Sequence, residues 1–108
     1  MILVEFQNTI FNFSNANVID IQENTIDVYY NNKNVVQLSN CETNIDTTNF
    51  EDYFFKVKME HRTLYFNRYN FLYMQKTEND VVKFLFFEDF KFDLIVDYDE
   101  LLNQLEND

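Results

Sequence analysis

Apolar and polar positions alternate in short runs along most of the chain. "ILVEF", "IFNF", "NVIDIQ", "TIDVYY" and "VVQLS" fill the first third, separated by "QNT", "SNA", "EN" and "NNKN". Period-two runs bounded by polar turn residues are the signature of a β-meander. In "TIDVYY", Ile26, Val28 and Tyr30 share one face while Thr25, Asp27 and Tyr29 share the other, as a half-buried antiparallel strand requires. The pattern resumes with "YFFKVKME", "TLYFN", "NFLYMQK", "VVKFLFF" and "FKFDLIV". About ten short strands are predicted.

Between the two strand-rich halves, residues 1–38 and 53–96, the segment 39–52 is polar and acidic and reads as the longest connection. A short helix from about Asn49 is its rival, because Thr48 and Glu51 have capping-box spacing and Phe50, Phe54 and Val57 have helical spacing. The strict alternation of "FKVKMEH" favours strand from Tyr53 onward. A helix over about 98–106 is predicted by Asp97 as cap, Glu100 at the capping-box position, and the Tyr98, Leu101, Leu102, Leu105 stripe. The fold class expected is mainly β: a single domain, 1–108, forming an antiparallel meander sandwich or partly open barrel with one short C-terminal helix. Its core should include Ile26, Val28, Val57, Phe84, Leu94, Leu101 and Leu105.

Composition changes how the turns must work. The chain contains no glycine and no proline. Asparagine is the usual substitute in turns, since its amide tolerates the left-handed region and bonds to nearby backbone. Asn31, Asn32 and Asn34 are the expected chemistry of the "YNNKNV" reversal, with Asn8, Asn15, Asn17, Asn24, Asn40, Asn44, Asn67, Asn70 and Asn79 punctuating the rest. Phe, Tyr, Ile and Asn have AT-rich codons, so an AT-rich genome accounts for the bias. Lysine codons are AT-rich too, yet Lys and Arg total 8 against 19 acids. The acidity therefore reads as selected.

A net charge of −11 accompanies 46% hydrophobic residues and 20 aromatics, a content that argues for a folded chain rather than a disordered one. No apolar run reaches the roughly 18 residues of a membrane span, and the amino terminus carries an acid where a signal peptide needs bases. With one cysteine, Cys41, the expected location is the cytoplasm.

Lack of glycine removes the phosphate-cradling loop, the dinucleotide fingerprint and the nucleophile elbow, which all need close backbone approach. A serine triad would require His61 beside Ser14 or Ser39, and a thiol dyad Cys41 beside His61, with no nucleophile context around any of them. Zinc lacks sufficient sulfur and imidazole, and "DYDE" is too short for a calcium loop. No cofactor, metal or catalytic residue is expected, and the chain reads as a non-enzyme. "YFNRYNFLYMQK" interleaves Tyr65, Phe66, Tyr69, Phe71 and Tyr73 with Arg68 and Lys76 and follows Arg62, like a stacking platform for single-stranded nucleic acid. Net charge opposes that, because such affinity rests on phosphate neutralisation.

The charge is uneven. Residues 1–55 hold eight acids and one base, 56–87 three acids and six bases, and 88–108 eight acids and one base. Glu88, Asp89, Asp93, Asp97, Asp99 and Glu100 form the candidate partner-binding surface, a carboxylate ridge for a basic protein partner. The function expected from this is a small acidic inhibitor of a host nucleic-acid-processing or defence enzyme, anti-restriction or anti-CRISPR in type and encoded by a phage or mobile element. A phage structural or assembly protein and the immunity partner of a basic toxin are the alternatives.

Overall fold

The computed structural model describes residues 1–40 and 45–106. Ten strands form three antiparallel sheets: β1 (Leu3–Phe6), β2 (Thr9–Asn12), β3 (Val18–Gln22), β4 (Thr25–Tyr29), β5 (Val35–Ser39), β6 (Phe54–Lys58), β7 (Arg62–Asn67), β8 (Phe71–Lys76), β9 (Val81–Phe86) and β10 (Phe90–Ile95). Helix α1 (Tyr98–Glu106) ends the described chain. A central five-stranded sheet runs β5-β4-β3-β7-β6, a three-stranded sheet runs β10-β9-β8, and β1 and β2 make a hairpin of their own. The three sheets are separate, do not close into a barrel, and stack face to face as a sandwich.

Alternation along the strands of the central sheet sends alternate residues into two different cores. Val18, Phe55, Val57, Leu64 and Phe66 meet Val82, Phe84, Phe86, Phe92 and Leu94 of the three-stranded sheet and Leu101 of the helix. On the opposite face, Ile19, Ile26, Val28, Leu38 and Tyr65 meet Ile2 and Val4 of the hairpin together with Phe13 and Phe50. Phe66 stacks on Phe84 with ring centroids 4.3 Å apart, and its truncation should cost on the order of 3–5 kcal/mol.

The alternation expected of "TIDVYY" holds in β4, where Ile26 and Val28 are buried and Thr25, Asp27 and Tyr29 are partly exposed, whereas β3 departs from it. Val18, Ile19 and Asp20 are consecutive and all buried, because β3 lies between two strands and beneath two covering layers. Six of the seven expected core residues are buried. Leu105 is only half-buried, since the last turn of α1 overhangs the Phe55–Phe71 margin of the sandwich.

Helix α1 packs beside edge strand β6 and bonds to its backbone through Gln104. Gln104 accepts from the Lys58 N–H at 2.8 Å and donates to the Lys58 carbonyl at 3.0 Å. At this one residue the side chain reproduces the bonding of a neighbouring strand on the β6 edge.

In the connection, the rival helix reduces to a single 3₁₀ turn, Phe50–Asp52, with no side-chain cap at Asn49. Thr48 instead donates its hydroxyl and its N–H to Asp46. Local side-chain bonding of this kind competes with helix initiation. Cys41 and Asn44 lie outside the described residues.

Asparagine shares glycine's role with other residues. Left-handed φ values occur at Gln7 (49°) and Asn8 (61°), Asn79 (61°) and Asp80 (60°), and Glu88 (63°) and Asp89 (59°), in three hairpin turns. The Asn31 turn uses no positive φ. Its Oδ1 accepts from the N–H groups of Lys33 and Asn34 and from the Asn34 amide, so the side chain holds the reversal.

Candidate functional site

The predicted acidic residues sit on β10 and at its two ends. Phe90, Phe92 and Leu94 point inward, so Lys91, Asp93 and Ile95 point to solvent on the outer face of the three-stranded sheet. There Asp93 is in register with Lys83 of β9, a cross-strand neighbour of opposite charge.

After β10 the chain turns into α1 on Asp97. Its Oδ1 accepts from the N–H groups of Asp99 at 2.9 Å and Glu100 at 3.2 Å, satisfying two of the helix's orphan donors. Carboxylates in the first turn also suit the positive end of the helix dipole. Asp97, Asp99 and Glu100 are all exposed, while Leu101 is buried on the opposite side of the helix.

Two acids that the sequence reading omitted join this end. The β8–β9 turn, pinned by Thr77 N–H and hydroxyl bonds to the Val81 carbonyl, carries Glu78 and Asp80. The Val96 N–H donates to the Asp80 carbonyl at 3.0 Å, fixing that turn beside the start of α1. Five exposed carboxylates from two segments thus gather at one end of the molecule: Glu78, Asp80, Asp97, Asp99 and Glu100. Hairpin register held the missed signal. Since Val81 pairs with Ile95, residues just before 81 and just after 95 must be neighbours.

Glu88 and Asp89 are not part of that cluster. They form the tip of the β9–β10 hairpin, where Phe86 pairs with Phe90, and Asn32 of the β4–β5 turn donates to the Asp89 carbonyl at 3.2 Å. About 17 Å of strand separates the two groups, at ~3.3 Å per residue over β10. The predicted ridge is therefore divided: Asp97, Asp99 and Glu100 at one end, where Glu78 and Asp80 join them, Glu88 and Asp89 at a separate tip, and Asp93 between, in register with Lys83.

Among the described residues, no three His, Cys, Asp or Glu side chains approach closely enough to hold a metal ion. His61 is exposed in the β6–β7 turn, 3.6 Å from Glu60. Ser14 bonds to Asn12 on another loop. The aromatic segment is divided: Tyr65 enters one core and Phe66 the other, while Tyr69 and Tyr73 are exposed. Arg62 is held by Asp20, Arg68 donates to the carbonyls of Glu51 and Phe54, and Lys76 lies over the Tyr98 ring. These partners draw the three cations away from a common stacking surface.

The chain was compared with protein-family models, curated proteins and solved structures, and nothing matched.

Proposed function

We propose that this is a non-catalytic binding protein whose acidic end occupies the cationic groove of a nucleic-acid-processing or defence enzyme. The reading places it with anti-restriction and anti-CRISPR inhibitors of phages and mobile elements, acting in the host cytoplasm. The observation that carries it is the convergence of the 78–80 turn on the start of α1, which concentrates five exposed carboxylates on a chain of net charge −11. Complementary charge of this kind mainly raises association rate and is screened over roughly 8 Å at physiological ionic strength.

The test is affinity capture of a basic partner at low and then high salt. Binding is then measured with a variant carrying Glu78→Gln, Asp80→Asn and Asp99→Asn, which leaves the Asp97 cap intact. Association should slow about tenfold at low salt while dissociation changes little. A folded variant that associates with the captured partner as fast as the parent would remove the acidic end from the interface.

One observation favours the assembly reading as second choice. The outer face of the three-stranded sheet exposes Leu72, Tyr73 and Ile95, and Phe87 extends it at the hairpin tip. Sedimentation separates the two readings: an assembly protein forms defined oligomers at micromolar concentration, whereas the inhibitor stays small until it meets its partner.

A further inference from the structure

At the opposite side of the central sheet from the helix-bearing core, a cleft of about 500 Å³ opens between the 3₁₀ turn at Phe13–Asn15 and the β7–β8 turn. Its size lies within the roughly 300–1,000 Å³ typical of small-ligand sites. Asn12, Ser14, Asn15, Tyr53, Tyr69 and Asn70 supply its polar and aromatic lining, with no Asp, Glu, Lys or Arg side chain among the lining residues. On a chain with 19 acids, a concavity without a charged side chain is a departure from the rest of the surface; the formal charge at its margin is the Met1 amino group.

The walls are held by buried amides. Asn67 is 3% exposed; its Oδ1 accepts from the N–H groups of Tyr69 and Asn70, and its Nδ2 donates to the carbonyls of Ser14 and Ala16. One side chain therefore fastens both rims. Asn70 donates to Asn17 Oδ1 at 3.1 Å, and buried Asn17 donates to the Tyr30 carbonyl at 2.8 Å.

Tyr69 is the second observation. It is 68% exposed, yet its hydroxyl donates to the Asp52 carbonyl at 3.1 Å and its N–H is held by Asn67. An exposed ring fixed at both ends offers a flat apolar surface whose ordering cost is already met in the free protein. Tyr53 lines the same cleft, its hydroxyl accepting from the Met1 amino group at 2.6 Å.

What remains available for a ligand is the Asn12 and Asn15 amide N–H groups, the Asn70 Oδ1 and the exposed face of Tyr69. Amides both donate and accept, as sugar hydroxyls do, and an aromatic face packs against the C–H face of a pyranose. The cation in this lining is the Met1 amino group, already bonded to the Tyr53 hydroxyl, and no lysine or arginine side chain joins it to hold a phosphate. We infer that the cleft binds a neutral saccharide, stacked on Tyr69 and hydrogen-bonded by Asn12, Asn15 and Asn70.

The test is a ¹⁵N-resolved NMR titration of the full chain with maltotriose and, separately, with the β-1,4 trimer of N-acetylglucosamine, each to about 10 mM. Saturable shifts confined to the amides of Asn12, Asn15, Tyr69 and Asn70 are expected from at least one trisaccharide. Tyr69→Ala should weaken that binding about tenfold and Asn15→Ala by a smaller factor, both variants keeping the parent spectrum elsewhere. Loss of shifts from both sugars, shifts centred on another surface, or unchanged affinity in folded Tyr69→Ala would overturn the inference. So would tighter binding of uridine monophosphate than of either sugar. The acidic end takes no part in this cleft, so each of these outcomes leaves the partner-binding proposal standing.

Discussion

At the scale of single residues, a chain without glycine places ordinary side chains in the left-handed region. Gln7 and Glu88 adopt φ near 50° and 63°, where a residue with a Cβ is disfavoured by roughly 1–2 kcal/mol relative to the right-handed region. Asn8 and Asn79 occupy the same region with less strain, because their amides suit it. Replacing Gln7 with Gly relieves the clash but adds unfolded-state freedom, leaving a net gain of about 0.5–1 kcal/mol. Asn8→Gly should gain less. Urea unfolding of the two variants tests this ordering, and a destabilised Gln7→Gly would mean that the turn holds its left-handed geometry without strain. The sequence made the substitution problem legible, since a glycine-free chain must still turn. It pointed to Asn8 and Asn79, which do adopt left-handed φ, but not to their neighbours Gln7 and Asp80 or to the Glu88–Asp89 pair. Asn31 looked like a left-handed residue and works through side-chain bonds, while Gln7 and Glu88 gave no signal because their conformation is imposed by hairpin register.

At the scale of elements, alternation identified ten strands and the helix, but it could not show that the central sheet is covered on both faces. Asp20 is the clearest case. An acid within a strand run, it is 2% exposed on β3, directly opposite Asp27 of β4. Arg62 of β7 makes it tenable, with Nη2 at 2.6 Å and Nε at 3.2 Å from its carboxylate. Gln22 bridges the two aspartates and Gln37 donates to Asp27. Burial still outweighs these partners and raises the Asp20 pKa, with Arg62 opposing the shift and Asp27 adding to it. A carboxyl held higher in the folded than in the unfolded state contributes stability below about pH 4 that is lost as pH rises through its folded value. At neutral pH, ionised Asp20 is thus a cost that Arg62 offsets. Arg62→Ala should destabilise by about 2–4 kcal/mol at pH 7, and by clearly less near pH 4, where Asp20 can take up a proton. Asp20→Asn should stay within about 1 kcal/mol of the parent at pH 7, because it removes the buried charge and leaves a partly exposed guanidinium that water can solvate. Unfolding free energies at the two pH values decide this, and equal losses for Arg62→Ala at both would show that Asp20 does not respond to the missing cation.

At the scale of the whole molecule, 11 excess negative charges sit on a body with principal extents of 42 × 30 × 24 Å. The candidate site was legible here in part: the acidic character of residues 88–108 was visible, and the helix start did gather Asp97, Asp99 and Glu100. The contribution of Glu78 and Asp80 was hidden by the 16 residues of sequence between Asp80 and Asp97, and the separation of Glu88 and Asp89 by the length of a strand. Grouping like charges at one end has a consequence that does not depend on any partner. With a Debye length of about 30 Å at 0.01 M salt, carboxylates across the whole molecule repel one another, whereas at 0.15 M the range shrinks to about 8 Å and only near neighbours remain coupled. Self-repulsion destabilises the compact state, so the melting temperature should rise by on the order of 5 °C between these salt concentrations, equivalent to roughly 1 kcal/mol for a domain of this size. The Glu78→Gln, Asp80→Asn, Asp99→Asn variant should melt higher than the parent at 0.01 M and show a smaller rise with salt. Scanning calorimetry of both proteins across that range makes the comparison. If the parent melts at the same temperature throughout, its carboxylates are too well solvated to strain the fold; if only the variant's salt response is unchanged, the repulsion arises elsewhere than at the start of α1.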